Sequence, residues 1–265
     1  MIGFIGVGNM GGTLARAAIG AVGAENVLVS SRTLEKAQRF AADTGCTAVM
    51  NTETAARAQV LFLGVKPQGM RSMLAEIAPV LQARSDRFVL VSMAAGLSLQ
   101  QITDFSGGAY PILRIMPNTP AAVGEGMIPY CANELASSED AAELCRILQP
   151  AGRLDPLPEH LIDAAGALSG CGPAFVYVFL EALADAAVAC GMPRDKAIQY
   201  AAQTALGSAK LVLQTGTHPA ALKDAVCSPA GSTIRGVHAL EAGGFRAAAE
   251  NAVLAAYERS MELGK

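Results

Sequence analysis

Short apolar runs alternate with helical periods from the start of the chain to about residue 157. The apolar runs are typical of strands that are buried on both faces of a parallel sheet. The segments between them carry apolar residues at the 3.6-residue spacing of helices. We therefore predict an α/β domain with a doubly wound, mainly parallel sheet. The predicted strands are Ile2–Ile5, Val27–Ser30, Val60–Val65, Phe88–Val91, Ile112–Ile115 and Met127–Cys131, and the predicted helices are Asn9–Val22, Leu34–Asp43, Gln68–Leu81, Leu99–Phe105 and Ser137–Leu148.

The strand pattern stops after Asp155-Pro156-Leu157-Pro158. The remaining sequence has only helical periods, which are separated by glycine and proline pairs. We predict a second, all-helical domain and place the division between residues 1–157 and residues 158–265. The predicted helices lie at about 159–168, 173–190, 194–215, 218–225, 232–242 and 245–263.

Composition agrees with two folded domains. The chain has 265 residues, of which 52% are hydrophobic and 16% charged, and its net charge is −3 with no run of like charges. We therefore expect no nucleic-acid partner. No stretch looks long and apolar enough for a membrane span, and the first strand leaves no room for a basic leader. These features predict a cytoplasmic protein with no membrane partner.

Cysteine and histidine residues show no metal-binding spacing. None of the six cysteines forms a C-x-x-C pair, and the three histidines are scattered along the chain. We predict reduced thiols that lie mostly in the core, and no metal site.

The first apolar run leads directly into a glycine pattern, Gly6-x-Gly8-x-x-Gly11, which a helical period follows. Strand, glycines and helix in this order are the fingerprint of a Rossmann-type dinucleotide-binding domain. Gly6 would permit the tight turn, Gly8 the approach of a pyrophosphate, and Gly11 the packing of helix on strand. The phosphates would bind the N–H groups at the helix start, including those of Asn9 and Met10. A glycine-rich turn without a ligand is the alternative.

The end of the second strand indicates which dinucleotide binds. NAD-binding domains carry an acidic residue there, whereas this chain has Ser30, Ser31, Arg32 and Thr33. Hydroxyls and a guanidinium would bind a 2′-phosphate that a carboxylate would repel. We predict that Ser31 and Arg32 favour NADP(H), although NADH stays possible. A solvated Arg32 and a helix-capping Thr33 form the alternative.

Three further loops follow strands at the edge where ligands of such sheets bind. The first contains Val65-Lys66-Pro67, the second Ala94-Ala95-Gly96, and the third Met116-Pro117-Asn118-Thr119. Small residues in the second loop would let a nicotinamide ring approach the backbone, and Asn118 with Thr119 could fix its amide. Each loop taken alone could also be a simple turn, and it is their occurrence at three equivalent strand ends that favours a binding site.

The helical half contains a Pro-small-Gly turn that leads into a helix, Ser228-Pro229-Ala230-Gly231-Ser232-Thr233. Its hydroxyls and N–H groups could bind a small carboxylate. An ordinary capped helix start uses the same groups, and the residues alone leave both interpretations open.

Six motifs in order resemble those of the pyrroline-5-carboxylate reductase family, over essentially the whole chain. The motifs are the glycine fingerprint, Val65-Lys66-Pro67-Gln68, Ser92-Met93-Ala94-Ala95-Gly96, Met116-Pro117-Asn118-Thr119-Pro120, Leu168-Ser169-Gly170-Cys171-Gly172-Pro173-Ala174-Phe175 and Val226-Cys227-Ser228-Pro229-Ala230-Gly231-Ser232-Thr233-Ile234. Cys171 and Ala230 depart from the family pattern, which usually has serine and glycine there.

The resemblance implies an NAD(P)H-dependent oxidoreductase of proline biosynthesis that reduces 1-pyrroline-5-carboxylate to L-proline. It implies that Ser228, Gly231 and Ser232 hold the substrate carboxylate and that Thr233 meets the ring nitrogen. It also implies that Asn51 lies near the cofactor. Family members form dimers, which often assemble into rings. The resemblance implies that the Ser228–Thr233 loop completes the site on the cofactor domain of the neighbouring subunit.

Two other functions compete with this one. A β-hydroxyacid dehydrogenase shares the architecture, but it needs a lysine on the interdomain helix to protonate an alkoxide, and 173–190 contains none. A dinucleotide-sensing protein without turnover would need no second site, whereas the Ser228–Thr233 loop looks intact. Lys223 and Glu181 are more typical of solvated helix positions than of catalytic groups.

Overall fold

The computed structural model describes residues 1–263, which form one eight-stranded sheet and a set of helices. The strands lie in the order β3-β2-β1-β4-β5-β6-β7-β8. Their bounds are β1 Ile2–Ile5, β2 Val27–Ser30, β3 Thr47–Ala48, β4 Val60–Leu63, β5 Val89–Ser92, β6 Ile112–Ile115, β7 Gly126–Ala132 and β8 Gly152–Pro156.

Twelve α-helices are present in the part of the chain that the structure describes. Short 3₁₀ turns precede β2, β7 and β8, and a π-helical turn spans Gly166–Gly170. The helices are α1 Asn9–Val22, α2 Leu34–Thr44, α3 Asn51–Arg57, α4 Pro67–Gln82, α5 Leu99–Ser106, α6 Ser138–Leu148, α7 Glu159–Ala165, α8 Gly172–Ala189, α9 Arg194–Thr215, α10 Pro219–Ala225, α11 Ser232–Ala242 and α12 Phe245–Leu263.

The prediction of a mainly parallel, doubly wound sheet is confirmed. Neighbouring strands from β3 to β6 pair in parallel, and so do β7 and β8. Within residues 1–263, only the β6–β7 pair is antiparallel. The connection between them, residues 116–125, is too short for the crossover that a parallel pair requires.

Three short elements escaped the sequence prediction. Strand β3 has two residues, β8 is a partly exposed edge strand that contains charged residues, and α3 has seven residues. None of them carries the apolar periodicity from which elements are predicted. All three are fixed by neighbours in the fold. Strand β3 pairs with β2, β8 pairs with β7, and α3 packs against α4 and β1.

Both faces of the sheet are covered by apolar side chains. On one face, α1 and α6 pack over the stacked rings of Phe4 and Phe62, whose centroids lie 4.4 Å apart. On the other face, α4 and α5 pack over residues such as Leu61, Leu90 and Ile112. The central strands are buried along their whole length, which explains their uninterrupted apolar sequences.

The chain divides into two compact units. The first comprises Met1–Cys171 with the end of α12 from Ala256, and the second comprises Gly172–Ala255. The structure thus groups α7 with the sheet. The division at residues 157 and 158 follows from the sequence pattern and stays a prediction.

The helical unit leaves many apolar side chains exposed within one chain. α8 and α9 pack on each other, but large residues on both helices and on their neighbours face outward. A surface of this kind marks an interaction site. The exposed residues include Val176, Tyr177, Val178, Ile198, Tyr200, Leu206, Leu213 and Leu254.

One helical run, Glu159–Ala189, is long and apolar enough to cross a membrane by length and composition. The expectation that no stretch approaches such a span is therefore wrong. The glycines and proline at 170–173 predict a helix end. In the structure the helix continues past them, because a π-helical turn at Gly166–Gly170 leads into α8. Helices that pack against other protein have the same composition, so the run is weak support for a membrane.

The cysteine prediction is also partly wrong. Only Cys46 and Cys131 are buried, Cys145 and Cys227 are half-buried, and the remaining two, Cys171 and Cys190, are exposed in the single chain. Burial raises the pKa of the Cys131 thiol to about 11, so this group is a neutral core residue at physiological pH.

A strained turn precedes α11. The Gly231 N–H donates to the Ser228 carbonyl at 3.0 Å, and Pro229 and Ala230 occupy the two central positions. Ala230 has φ of +58° and is the only non-glycine residue with positive φ in residues 1–263. Proline followed by positive φ defines a type II turn, which favours glycine at the position of Ala230.

We expect Ala230→Gly to raise the free energy of unfolding. Relief of the left-handed conformation outweighs the added freedom of the unfolded chain, for a net gain of about 0.5–1 kcal/mol. Ala95→Gly is the control, since Ala95 is an exposed loop alanine without positive φ, and it should be neutral or destabilising. Denaturant unfolding at one fixed protein concentration measures both, and a less stable Ala230→Gly variant would contradict the strain.

Candidate active site

The glycine turn after β1 is closed by contacts between backbone atoms. Gly6 has φ of +103°, and a Cβ there would lie 2.5 Å from the carbonyl oxygen of Gly64 at the end of β4. A Cβ on Gly11 would lie 2.0 Å from the carbonyl oxygen of Gly6. The turn, β4 and the first turn of α1 therefore fit together only without side chains at these positions.

Gly8 differs from the other two glycines. Its φ is −71° and no atom lies within 4 Å of the place where a Cβ would be. The chain itself does not require glycine here, whereas a ligand approaching the backbone would. Gly8 is the N-cap of α1, so the N–H groups of Asn9 and Met10 have no partner within the helix. This cradle fits the pyrophosphate of a dinucleotide.

The side chains at the end of β2 differ in exposure. Ser30 is fully buried and its hydroxyl donates to the Phe4 carbonyl at 3.5 Å, so it is turned away from any ligand. Ser31 is half-buried and Arg32 exposed. Thr33 is the N-cap of α2, but its side chain accepts no capping hydrogen bond. Ser30 is therefore excluded as a ligand of a 2′-phosphate, whereas Ser31, Arg32 and the uncapped hydroxyl of Thr33 stay accessible.

Asn51 begins α3, three residues after β3, at the same sheet edge. Its Nδ2 donates to both carboxylate oxygens of Glu76 on α4, at 3.3 and 3.1 Å. Its Oδ1 is buried without a hydrogen-bond partner. A buried acceptor without a donor costs free energy in the folded state. A hydrogen-bond donor on a bound ligand would satisfy this oxygen.

The loops after β4 and β5 present mainly backbone. Val65 is half-buried, Lys66 is the exposed N-cap of α4, and Pro67 is its first residue. Ala94 is buried, Ala95 is exposed, and Gly96 has φ of +75°. The Ala94 N–H points to the Ser92 hydroxyl at 3.4 Å, which fixes the start of this loop.

Asn118 is held by its own chain. Its Oδ1 accepts from the Met127 N–H at 3.0 Å, and its Nδ2 donates to the Ser169 carbonyl at 2.9 Å. The side chain is buried and joins the loop after β6 to β7 and to the π-helical turn. Sequence reasoning missed this clamp. The role of Asn118 at a nicotinamide amide stays a prediction.

The Ser228–Thr233 loop presents hydroxyls at the start of α11. Ser228, Ser232 and Thr233 are all exposed in the chain. A Cβ on Gly231 would lie 2.3 Å from the Ser228 Oγ, so a side chain at this position would displace the Ser228 hydroxyl. The Gly231 N–H closes the turn, which corrects the expectation that it serves a carboxylate. The N–H groups of Ser232, Thr233 and Ile234 have no partner within α11.

Two other sequence candidates are surface residues. Lys223 lies 2.6 Å from Asp224, whose carboxylate raises the pKa of the lysine ammonium above its ordinary value. Lys223 is thus a firmly charged cation and a poor proton donor. Glu181 is exposed on α8. Residues 1–263 contain no group of three or more side chains that could hold a metal ion.

One polar cluster was not predicted at all. Arg114 on β6 is 2% exposed and pairs with Asp163 and Glu159 on α7. The only signal in the sequence is a charged residue inside the apolar strand Ile112-Leu113-Arg114-Ile115. The partners follow β6 by some fifty residues, so the strand sequence does not reveal them.

Two family models match the chain. The pyrroline-5-carboxylate reductase dimerisation model matches residues 159–263, and the model described as NADP oxidoreductase, coenzyme F420-dependent, matches residues 1–96. The matches cover the helical part and the dinucleotide-binding part, respectively.

Full-length relatives and solved structures agree with the dimerisation model. The pyrroline-5-carboxylate reductase of Escherichia coli is 42% identical over 267 residues, which cover 100% of this chain and 98% of the relative. The structure of the Plasmodium falciparum pyrroline carboxylate reductase with NADP bound has a TM-score of 0.88, 33% identity, and coverage of 100% and 98%. The Coxiella burnetii reductase has a TM-score of 0.90, 31% identity and the same coverage. The chain therefore belongs to the pyrroline-5-carboxylate reductase family.

Proposed function

We propose that this chain reduces 1-pyrroline-5-carboxylate to L-proline, the final step of proline biosynthesis, with NADPH as the preferred hydride donor. The observation that carries the proposal is full-length similarity, at 42% identity, to a reductase of that name. The enzyme is an NAD(P)H-dependent oxidoreductase. Oxidation of NADPH followed at 340 nm, with and without pyrroline-5-carboxylate, tests the activity directly.

The residues of the glycine turn and its neighbouring loops would hold the cofactor. Gly8 and the N–H groups of Asn9 and Met10 would bind the pyrophosphate, and Ser31 with Arg32 the 2′-phosphate. The bound dinucleotide would supply a hydride to the C=N carbon of the substrate. The backbone around Ala94–Gly96 would border the nicotinamide, because bulky side chains are missing there.

The Ser228–Thr233 loop would hold the substrate. Ser228 and the free N–H of Ser232 would pin the carboxylate, and the Thr233 hydroxyl would contact the ring nitrogen. A protonated imine is the better hydride acceptor, so a group that stabilises charge at that nitrogen favours the transfer. Lys223 is not assigned to this role, since Asp224 keeps it charged.

The two competing functions lack support. The interdomain helix α8 contains no lysine, which a β-hydroxyacid dehydrogenase would use as its acid. A sensing protein without turnover would not need the exposed hydroxyls of Ser228 and Thr233.

The chain takes a small-molecule substrate and forms a homo-oligomer. We propose a dimer, since a second copy would cover the apolar side chains that α8 and α9 expose. Assembly of dimers into a ring, which rests on the family resemblance, and a cytoplasmic location, which the sequence features predict, are further parts of this proposal.

The preference for NADPH over NADH tests whether Arg32 binds the 2′-phosphate. We expect a lower KM for NADPH than for NADH, and Arg32→Ala should raise the KM for NADPH far more than that for NADH. Loss of a charge-assisted hydrogen bond is worth about 1.5–3 kcal/mol, or roughly ten- to over a hundredfold. Arg39→Ala, an exposed arginine on α2, is the matched control. An equal rise for both cofactors would refute the assignment.

Thr233→Ala should lower kcat/KM for the imine with little change in NADPH affinity. The lost hydrogen bond to a charged group predicts a decrease of about ten- to over a hundredfold. Thr233→Ser keeps the hydroxyl and should retain most of the activity. Steady-state kinetics and NADPH titration measure the two effects, and an unchanged kcat/KM in Thr233→Ala removes this residue from the site.

Complementation tests whether subunits share sites. A cofactor-dead chain (Gly8→Asp) and a substrate-dead chain (Ser228→Ala with Thr233→Ala) should each be inactive. Refolded together, they should regain activity, because each mixed dimer then contains one intact site. If mixed dimers form and stay inactive, each site is built within one chain.

A further inference from the structure

Arg114 is an ionic group inside an apolar part of the molecule. It lies on the same face of β6 as Ile112, among residues that include Cys131 and Ile162. Across the sheet it is paired with Ser92 of β5 and Cys131 of β7. The guanidinium therefore lies between the sheet and the helices that cover it.

Two carboxylates of α7 neutralise this charge. The Arg114 Nη2 lies 2.6 Å from the Asp163 Oδ1, and its Nη1 lies 3.5 Å from the Glu159 Oε1. Both carboxylates are partly exposed, with 23% and 36% of their side chains accessible. The Arg114 Nε is buried and has no hydrogen-bond partner.

Stability alone does not explain the arginine. A buried ion pair with an unsatisfied donor gains little over apolar residues of similar volume, and replacement by such residues is often neutral or stabilising. The other three residues of β6 are Ile112, Leu113 and Ile115, so the strand readily accepts apolar side chains on both faces.

Glu159 connects the arginine to the loop after β5. Its Oε1, the same oxygen that faces Arg114, accepts a hydrogen bond from the Leu99 N–H at 2.6 Å. Leu99 is the first residue of α5, and only Leu97 and Ser98 separate it from the Ala94–Gly96 loop. The carboxylate thus fixes the point at which this loop joins α5, where the helix dipole also favours a negative charge.

Arg114 is also the second-last residue of β6, so only Ile115 separates it from the loop after that strand. Asn118 of that loop donates to Ser169, and Ser169 follows α7 within the same continuous helical run. The two loops are therefore held against one helix, through Glu159 at its start and through Ser169 just beyond its end.

We propose that Arg114 and Glu159 are positioning residues that fix the two loops bordering the nicotinamide, and this proposal rests on the proposed function. The guanidinium orients the Glu159 carboxylate, the carboxylate holds Leu99, and the loop Ala94–Gly96 keeps its place relative to the loop of Asn118. A hydride transfer is sensitive to such placement, since a shift of about 1 Å can cost a hundredfold in rate.

A pair of Glu159 variants tests the link to Leu99. Glu159→Ala removes the acceptor and should lower kcat about ten- to hundredfold, while the KM for the imine changes little. Glu159→Gln keeps an oxygen for the Leu99 N–H and should retain most of kcat. Arg87→Ala, which breaks the more exposed Arg87–Asp140 pair, is the control and should leave kcat unchanged.

Amide hydrogen exchange of the free enzyme provides a readout that does not depend on turnover. Exchange at Leu99 and through 92–98 should accelerate in Glu159→Ala and stay slow in Glu159→Gln. The dissociation constant for NADPH, measured by fluorescence, should rise in the alanine variant. If the wild type lacks reductase activity, the proposed function fails, but exchange and NADPH affinity still test the positioning.

A neutral triple variant, Arg114→Met with Glu159→Gln and Asp163→Asn, separates position from stability. It should unfold at a temperature near that of the wild type, because no buried charge is left unpaired, and yet show reduced kcat. Unchanged kcat and unchanged exchange at Leu99 in this variant would overturn the role of Arg114. If it does not fold, equal exchange and kcat in Glu159→Ala and wild type would overturn the proposal.

Discussion

The contact among three glycine backbones sets the geometry of the whole cofactor edge. Gly6, Gly11 and Gly64 bring the turn after β1, the start of α1 and the end of β4 so close that a Cβ would lie within 2.5 Å of a carbonyl oxygen. The unpartnered N–H groups of α1 thereby emerge beside the sheet edge, where a phosphate can reach them. Gly8 adds nothing to this packing, and its open side leaves room for a ligand beside the backbone.

Polar side chains that are buried or half-buried fix the remaining loops at this edge. Asn118 uses both ends of its amide on its own chain, and Glu159 bridges Arg114 and Leu99. Such groups add little net stability, because their desolvation offsets most of the interaction. Their effect is directional, since each hydrogen bond specifies where a loop lies. Rigid loops of small residues can then present backbone to a flat ring at close range.

The regular elements could be predicted because their information is local. Val60–Leu63 and Val89–Ser92 are buried on both faces, and α8 and α9 carry long apolar periods, so sequence alone reveals them. The fine structure of the site could not be predicted in the same way. The buried hydroxyl of Ser30, the hydrogen bond from Asn118 to the π-helical turn and the ion pairs of Arg114 all involve partners that are far away in the sequence. Motif resemblance located the loops, and only the fold showed which of their donors were already engaged.

The Ser228–Gly231 turn places different constraints on two neighbouring positions of one motif. At Ala230 the turn requires positive φ, which an alanine can adopt at a cost of about 1–2 kcal/mol. At Gly231 the requirement is steric, because a Cβ would lie 2.3 Å from the Ser228 Oγ. Rotation of the Ser228 side chain would relieve that overlap, but it would displace the hydroxyl that we propose binds the substrate. The departure from the family pattern therefore falls where the backbone can adapt, and the position that shapes the proposed binding site keeps its glycine.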